Sequence, residues 1–278
     1  MRLLALSCVT LISVTALPNT GAASSKLTFL ICQPGGPDLK DQEQALMRDF
    51  YNYVGKKVGM TGNNIAGQYL TKRKKCLKAL KEKPSVLMLS LDMFLAAYKS
   101  KSLKPLAQIK MRGKTSGRYF LMSSVEGPKE LTAIRGKQIS GTMVHDPAFV
   151  AKVVMGGRLG TAEELVLKPQ KLGLRGVRDV IRGKSAGVIL DEAQYKAING
   201  TPFEKKLQLV FTSEPLPNAP IAVNKTKVKG SMLTKMQNAM LTMAKDSEGK
   251  KLLDAFGIDA FVSPKNGAWT PLMENMTQ

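Results

Sequence analysis

Apolar and polar residues along the first third of the chain fall into blocks that predict strands separated by helices. Residues 26–32 form a compact apolar strand that ends in a Gln-Pro-Gly-Gly-Pro turn. Apolar side chains at helical spacing predict one helix over 39–53 and a second over 69–80. Residues 85–91 form another buried strand, and 92–98 begin another helix. The order strand, helix, helix, strand predicts an α/β sheet with crossover helices.

The middle of the chain repeats this pattern and predicts a second lobe. An extended segment at 117–124 carries the chain into it, and a short helix then closes on Gly136 before a strand that reaches Gly141. Asp146 and Pro147 have the residue types of an N-cap and a first helical position. Further elements are predicted as helices over 148–155, 176–182 and 232–244 and as strands over 106–111, 165–167, 187–190, 207–211 and 221–223.

Two segments near the end of the chain have distinctive patterns. Residues 213–220 contain three prolines, which predicts a stiff crossing segment or linker. Residues 249–261 read as a short amphipathic helix, a glycine stop and an alternating apolar tail. The methionines of 232–244 lie near one helix face, and core packing is favoured over a recognition groove.

The first residues resemble an export signal. Arg2 precedes an almost wholly apolar or small run over 3–17, and residues 18–23 then break that run with small side chains. This pattern is typical of a secretory signal peptide cleaved near Ala23, and the run is shorter than the ~20 residues of a spanning helix. The alternative is a buried helix of the folded protein. We expect residues 1–23 to be removed and the protein to be periplasmic and monomeric.

The net charge changes the range of partners. The chain carries 42 Lys and Arg against 21 Asp and Glu, a formal charge of +21. Such a balance suits nucleic acid, an anionic membrane face or a small anion. The densest run is Lys72–Lys75, followed by Lys78, Lys81 and Lys83, and it is either a solvated helix face or a docking patch. No aromatic residue interleaves the run, which disfavours nucleic acid.

The cysteine and histidine content argues against a metal site. Removal of the signal leaves Cys32 and Cys76, which can pair in an oxidising compartment if their geometry allows it. The chain has one histidine and no CxxC pair, so no zinc site is expected. We expect no metal and no cofactor.

Four segments in order resemble one family, the type II periplasmic substrate-binding proteins of ABC transporters, and within it the phosphate, phosphite and phosphonate branch (part of the transferrin-like superfamily). Residues 131–139 resemble its entry to the second lobe, and 177–195 its helix, glycine, apolar strand and acidic residue. Residues 213–223 resemble its return to the first lobe, and 249–261 its closing helix and tail. The resemblance rests on their order and spacing.

The resemblance implies a two-lobed α/β fold. Each lobe would be a mixed sheet flanked by helices, with a ligand cleft between the lobes. Lobe 1 is expected over 24–112 plus 215–278, and lobe 2 over 113–214. A membrane permease of an ABC transporter is the implied partner, or a membrane sensor if the protein signals.

The ligand in such folds lies against strand carboxyl ends and helix N-termini, where free N–H groups favour anions. Four loops have that position, and their residues are the ligand-binding candidates: Gln33, Gly35, Ser90, Asp92, Ser140, Gly141, Thr142, His145 and Asp191. Asp92 and Asp191 are alternatively helix N-caps, and His145 alternatively structural. Arg112 and Arg118 flank the crossing and either reach the cleft or are surface charges.

The loop 140–147 departs from the branch, which usually has a Ser/Thr/Gly cluster there. Ser140, Gly141 and Thr142 supply part of that cluster, but His145 and Asp146 are not expected in it. The predicted ligand is therefore a phosphate- or phosphonate-like oxyanion or a related small anion or zwitterion.

Four functions remain open from the sequence. The favoured one is an exported solute-binding protein for uptake, and the alternative is a sensor component that signals to a kinase or cyclase. An enzyme on this fold is disfavoured because HExxH and P-loop motifs are absent from the sequence. Binding of envelope polyanions would show steep salt dependence.

Overall fold

The computed structural model describes residues 26–36, 39–98 and 102–277. The predicted signal peptide, residues 1–23, lies outside the described residues. The strands are β1 Leu27–Cys32, β2 Ile65–Leu70, β3 Val86–Leu89, β4 Leu103–Lys110, β5 Ser116–Gly117, β6 Tyr119–Ser124, β7 Gln138–Gly141, β8 Val166–Pro169, β9 Gly187–Asp191, β10 Leu207–Thr212, β11 Leu216–Pro217, β12 Pro220–Asn224 and β13 Ala260–Val262. The α-helices are α1 Asp41–Lys57, α2 Arg73–Leu80, α3 Leu91–Tyr98, α4 Gly173–Ile181, α5 Glu192–Ile198, α6 Gly230–Thr242, α7 Ser247–Ala255 and α8 Thr270–Thr277.

A mixed six-stranded sheet forms lobe 1, in the order β13-β4-β12-β3-β1-β2. β1 pairs in parallel with β2 and β3, and β12 pairs antiparallel with β3 and β4. Its core includes the buried face of α1, with Phe50, Tyr53 and Val54, and Met236 and Met240 of α6. The α6 methionines are core side chains, as the sequence favoured.

A mixed five-stranded sheet forms lobe 2, in the order β10-β6-β9-β7-β8. β6 is antiparallel to β10 and β9, and β7 is parallel to β8 and β9. Val177 and Val180 of α4 pack with Val188 and Leu190 of β9 in the core of this lobe. The two mixed sheets with flanking helices confirm the predicted fold class.

A short antiparallel ribbon lies where the chain crosses between the sheets. Leu216 of β11 pairs with Gly117 of β5, and Pro217 pairs with Ser116. Strands of lobe 1 precede and follow this ribbon, whereas every strand of lobe 2 lies between its two halves. The lobe boundaries at 112/113 and 214/215 stay predictions.

Helix α8 joins both lobes and was not predicted. It packs against α3 of lobe 1 and against the helix over 149–154 of lobe 2. Just before α8, the buried Trp269 makes an edge contact with Phe94 and donates a hydrogen bond from Nε1 to the carbonyl of Asn218.

Two predicted helices differ in the structure. Tyr69 and Leu70 end strand β2, where they pair with Ile31 and Cys32 of β1, so the helix predicted over 69–80 begins only at Arg73. Residues 149–154, predicted as α-helix, form a π-helix in which Met155 N donates to Val150 O. Asp146 does accept a hydrogen bond from Phe149 N at its start, as an N-cap residue would. Among the described helices, none has the length and apolar character needed to cross a bilayer.

Candidate functional site

A cleft of about 380 Å³ lies beside the β5–β11 ribbon and has walls from both lobes. Lobe 1 contributes Gln33, after β1, and Leu91, at the start of α3. Lobe 2 contributes Tyr119 of β6 and Asp191 at the end of β9. The sequence-predicted residues Gln33 and Asp191 therefore lie in one cavity.

Basic side chains enter the cleft from the segment that crosses between the lobes: Arg112, Lys114 and Arg118. Arg118 Nη1 donates to the carbonyl of Ser213 at 2.7 Å, which fixes one end of its guanidinium. Lys114 Nζ lies 3.5 Å from Glu192 Oε1, and Arg112 has no ion-pair partner among the described residues. These cations can attract an anion into the cleft.

Two carboxylates lie in the same cleft, at the junction of β9 and α5. Asp191 caps α5, because its Oδ1 accepts from Gln194 N at 2.8 Å while Gln194 Oε1 accepts from Asp191 N. Glu192 accepts a hydrogen bond from Lys196 at 2.8 Å, and chiefly this contact holds the pKa of the Glu192 carboxyl below its ordinary value. Both carboxylates suit a cationic group on a ligand, and the capping role was the alternative given for Asp191.

Tyr119 supplies the third kind of group in the cleft. Burial, together with the charges of Asp191 and Asp92, raises the pKa of its phenol well above the ordinary value. The hydroxyl therefore stays protonated and can donate a hydrogen bond to an oxyanion. Tyr119 also makes an edge contact with Phe149, which anchors its ring in lobe 2.

A second cluster of charges joins the lobes beside this cleft. Arg73 of α2 forms ion pairs with Asp92 of α3 and with Asp146 of lobe 2, the latter at 3.3 Å. Ser90 Oγ donates to Asp92, which is only 2% exposed. The predicted ligand residues Ser90 and Asp92 therefore have protein partners here, and their role toward a ligand stays a prediction.

His145 lies next to this cluster. Burial, and then the positive charge of Arg73, lower the pKa of its imidazole, against a smaller opposite effect of Asp92. Its Nε2 is buried and has no hydrogen-bond partner among the described residues. A neutral imidazole at the lobe contact leaves one nitrogen open to a donor or acceptor.

The lobes also come close to each other at Gly35 and Thr142. Gly35 has φ +80°, and a Cβ added to it would lie 2.9 Å from the carbonyl oxygen of Thr142. A side chain at this position would press on lobe 2, so the contact requires glycine. Thr142 Oγ1 accepts a hydrogen bond from Gln194 Nε2 at 2.8 Å. Both predicted residues thus lie at the contact of the lobes.

Ser140 and Gly141 lie behind the contact. The hydroxyl of Ser140 is fully buried, 2.6 Å from the hydroxyl of Ser185. A Cβ added to Gly141 would lie 2.7 Å from the carbonyl oxygen of Ile189, so the glycine permits close packing of β7 against β9. A direct ligand contact by either residue stays a prediction.

The two cysteines adjoin each other at the end of β1 and in α2. Both are buried free thiols, and their mutual hydrogen bond raises the pKa of Cys32 and lowers that of Cys76. Cys76 Sγ also lies 3.4 Å from the carbonyl of Leu70. Pairing as a disulfide stays a prediction.

Sequence reasoning missed several of these residues. Arg73 was part of a basic run read as a single face, and Tyr119 was read only as part of a strand. Two of them could have been found from the sequence. Tyr119 follows Arg118 where the chain crosses between the lobes, and Glu192 comes directly after Asp191 at the end of a strand. Nothing in the sequence pairs Arg73 with Asp146. The described residues contain no cluster of three or more His, Cys, Asp or Glu suited to a metal ion.

A family model matches most of the chain. The model described as "ABC transporter, phosphonate, periplasmic substrate-binding protein" matches residues 38–269. Among curated protein sequences none matches.

Solved structures share the fold at low sequence identity. A Xanthomonas citri protein bound to ATP has a TM-score of 0.70 at 13% identity, over 91% of this chain and 96% of that one. A binding protein component of an ABC phosphonate transporter from Pseudomonas aeruginosa has a TM-score of 0.65 at 11% identity, over 90% and 86% of the two chains. A Prochlorococcus marinus protein in complex with methylphosphonate has a TM-score of 0.66 at 8% identity, over 90% and 97%.

Proposed function

The chain belongs to the phosphonate family of periplasmic substrate-binding proteins of ABC transporters, and from this premise we propose that its interlobe cleft captures a small anionic or zwitterionic ligand for uptake. The family match spans residues 38–269, which include the strands of both lobes from β2 to β13. The function is that of a substrate-binding component, so binding and release, rather than bond breaking, are the chemistry to be explained.

One observation carries the proposed ligand class. Arg112, Lys114 and Arg118 share the cleft with Asp191 and Glu192. The cations and the protonated Tyr119 hydroxyl suit an oxyanion, which accepts several hydrogen bonds at once. The free carboxylate oxygens suit an ammonium group at the other end of the same ligand.

Solved relatives support a phosphorus oxyanion as the anionic end. The similar structures from Xanthomonas citri and Prochlorococcus marinus hold ATP and methylphosphonate, which both carry oxygens on phosphorus. The cleft volume of about 380 Å³ leaves room for an organic substituent on that group. We propose an organic phosphate or phosphonate with a polar or cationic substituent.

We further propose that the lobes 24–112 plus 215–278 and 113–214 close on the ligand about the β5–β11 ribbon. Gln33 and Asp191 would touch the ligand directly. Gly35 and Thr142 would close the cleft, and Ser90, Asp92, Ser140, Gly141 and His145 would support it. Residues 1–23 would direct export to the periplasm, where the closed monomer would present itself to a membrane permease.

A thermal-shift screen of the purified protein tests the proposal. The panel holds phosphate, phosphite, alkyl- and aminoalkylphosphonates, nucleotides, sulfonates, carboxylates and amino acids. A ligand at 100 times its Kd adds about 2.7 kcal/mol to the stability of the folded state, which such a screen detects. We expect a shift with a phosphorus oxyanion that Lys114→Gln and Asp191→Asn each reduce.

The matched control is Lys250→Gln, which changes an exposed lysine that is paired with Asp254 and does not line the cleft. It should leave the shift unchanged. A shift restricted to carboxylates or amino acids would overturn the phosphorus preference, and no shift with any solute would overturn small-ligand capture. If the protein binds a ligand but does not deliver it to a permease for uptake, the alternative function as a sensor component is favoured.

A further inference from the structure

The outer face of α2 carries a stripe of lysines. Lys74, Lys78 and Lys81 recur at spacings of four and three residues, which places them on one side of a helix, with Lys81 at its C-cap. All three are exposed, while Cys76 on the opposite side is buried. We call this stripe, with the neighbouring Leu77, the basic face.

The basic face has no counter-charge of its own. Residues 72–83 contain seven basic residues and one acidic residue, Glu82, an excess of six positive charges. Of the seven, Arg73 alone forms an ion pair among the described residues, and it turns inward to Asp92 and Asp146. The other six cations lack a carboxylate partner there, so their mutual repulsion is relieved only by solvent ions or by an external anionic partner.

Exposed apolar surface borders the same face. Leu77 is 48% exposed, although its neighbours on the helix are charged. Beside it, a groove of about 330 Å³ runs between α2 and α3. Its apolar lining includes Leu77, Leu80, Leu87, Met93, Ala97 and Leu103, and its charged rim includes Lys81 and Lys83. Cations around an apolar surface suit a partner that has negative charges on its outer surface and hydrocarbon directly beneath them.

We propose that the basic face docks this protein onto the surface of an anionic phospholipid bilayer. The lysines would contact lipid phosphates, and Leu77 with the groove beside it would receive the glycerol and upper acyl region. A bilayer presents many equivalent anions in a plane, which matches long lysine side chains that have no ion-pair partner in the described part of the chain. Nucleic acid fits less well because residues 72–83 contain no aromatic side chain for stacking.

Docking by this face leaves the ligand cleft open. Of the residues that the structure describes, none lines both the α2–α3 groove and the interlobe cleft. A bound protein would keep its ligand site accessible while staying near membrane proteins, and would search for them in two dimensions. The inference therefore stands apart from the proposed ligand and can fail while ligand capture holds.

Vesicle sedimentation tests the inference. The protein is expressed in a bacterium from its full sequence and purified after export. The variant K74E/K78E/K81E is compared with K129E/K205E/K206E, which makes the same charge change at exposed lysines of lobe 2. Vesicles contain either phosphatidylglycerol mixed with phosphatidylcholine or phosphatidylcholine alone. Since each lysine near an anionic surface contributes several-fold, the first variant should partition about 100-fold more weakly at low salt.

The second variant should keep most of its binding, and Leu77→Ser should reduce partitioning several-fold without changing net charge. Equal losses in both triple variants would overturn the proposal, because net charge alone would then explain binding. Equal binding to phosphatidylcholine would also overturn it. Competition by soluble polyglutamate at the same charge concentration as the lipid would indicate an acidic protein segment instead. A cooperative thermal unfolding transition of each variant at the temperature of the parent protein shows that the fold is retained.

Discussion

We expect His145 to make the stability of the folded protein depend on pH. Burial and the positive charge of Arg73 lower the pKa of its imidazole in the folded protein. Just below the ordinary histidine pKa, the imidazole is therefore protonated in the unfolded chain but neutral in the folded protein. The free energy of unfolding should therefore decrease as the pH falls below the ordinary histidine value of about 6.5, and should be fully regained above it. Because the chain has one histidine, its imidazole NMR signals can be titrated without assignment.

The variant His145→Gln should lose this pH dependence. Urea unfolding at about pH 7.5 and about pH 5.5 would show a smaller loss in the variant than in the parent protein. Carboxylates such as Asp179 and Asp246, whose pKa values are lowered, lose their contribution only at more acidic pH and are shared by both proteins. An NMR pKa at or above the ordinary value would contradict the assignment.

Cys32 and Cys76 allow a second prediction at the residue scale. Their thiols adjoin and are fully enclosed, so export into an oxidising compartment is expected to join them. Thiol titration of the unfolded, unreduced protein should then find neither residue reactive, whereas prior reduction should expose both. The variant Cys32→Ala should show a reactive Cys76 without reduction, which identifies the pair. Two reactive thiols in the untreated parent protein would contradict the prediction.

Secondary structure was predictable where a local pattern was strong. The apolar runs of β1, β3 and β9 and the spacing of α1 and α6 are local signals, and those elements lie where they were predicted, within a few residues. β2 was not predictable because it is an edge strand with a polar, glycine-containing sequence, Ile-Ala-Gly-Gln-Tyr-Leu. Its pairing with β1 comes from tertiary context, which overrides weak local preference.

Gly67 shows what that tertiary context requires of β2. A Cβ at this position would lie 1.9 Å from the ring of Tyr51, which stacks on Phe29 at a centroid distance of 4.9 Å. Gly67→Ala should therefore destabilise the protein by about 1–3 kcal/mol, because the ring or the strand must shift. Denaturant unfolding measures the change. In a Tyr51→Leu background the same substitution should cost clearly less, and equal costs in both backgrounds would contradict the proposed clash.

At the scale of the whole molecule, only part of the candidate site followed from sequence. Gln33 follows β1 and Asp191 ends β9, two strands whose carboxyl ends face the cleft, and that rule applies to any α/β sheet. Asp92 and His145 follow the same rule, yet they meet Arg73 rather than the cavity. The position of Arg73 depends on how two lobes meet, and no periodicity in the chain encodes that relation.

We expect the ion pair between Arg73 and Asp146, at 3.3 Å, to help hold the two lobes together when no ligand is bound. Asp146→Asn should keep the hydrogen bond to Phe149 N, because Asn is an equally good cap. It removes the attraction across the cleft, which we expect to be worth about 1 kcal/mol at this partial exposure. The ligand-free protein should show a larger radius of gyration in solution scattering, and its Kd for ligand should rise about fivefold.

Asp254→Asn is the matched control, since it removes an exposed pair with Lys250 on α7. It should change neither the radius of gyration nor the Kd. An Asp146→Asn protein as compact as the parent, with the same Kd, would show that the ion pair does not restrain the lobes.

The position of β12 in the sheet determines the order in which the two lobes can fold during synthesis. Val223 of β12 pairs with Val86 of β3, so the centre of lobe 1 is filled only after all of lobe 2 has been synthesised. A chain that emerges from a membrane pore N-terminus first can complete lobe 2 while β3 and β4 still have open edges. Open apolar edges invite wrong pairing and aggregation. A nascent chain therefore most needs a chaperone after residue 89 has emerged and before residue 220 has followed it.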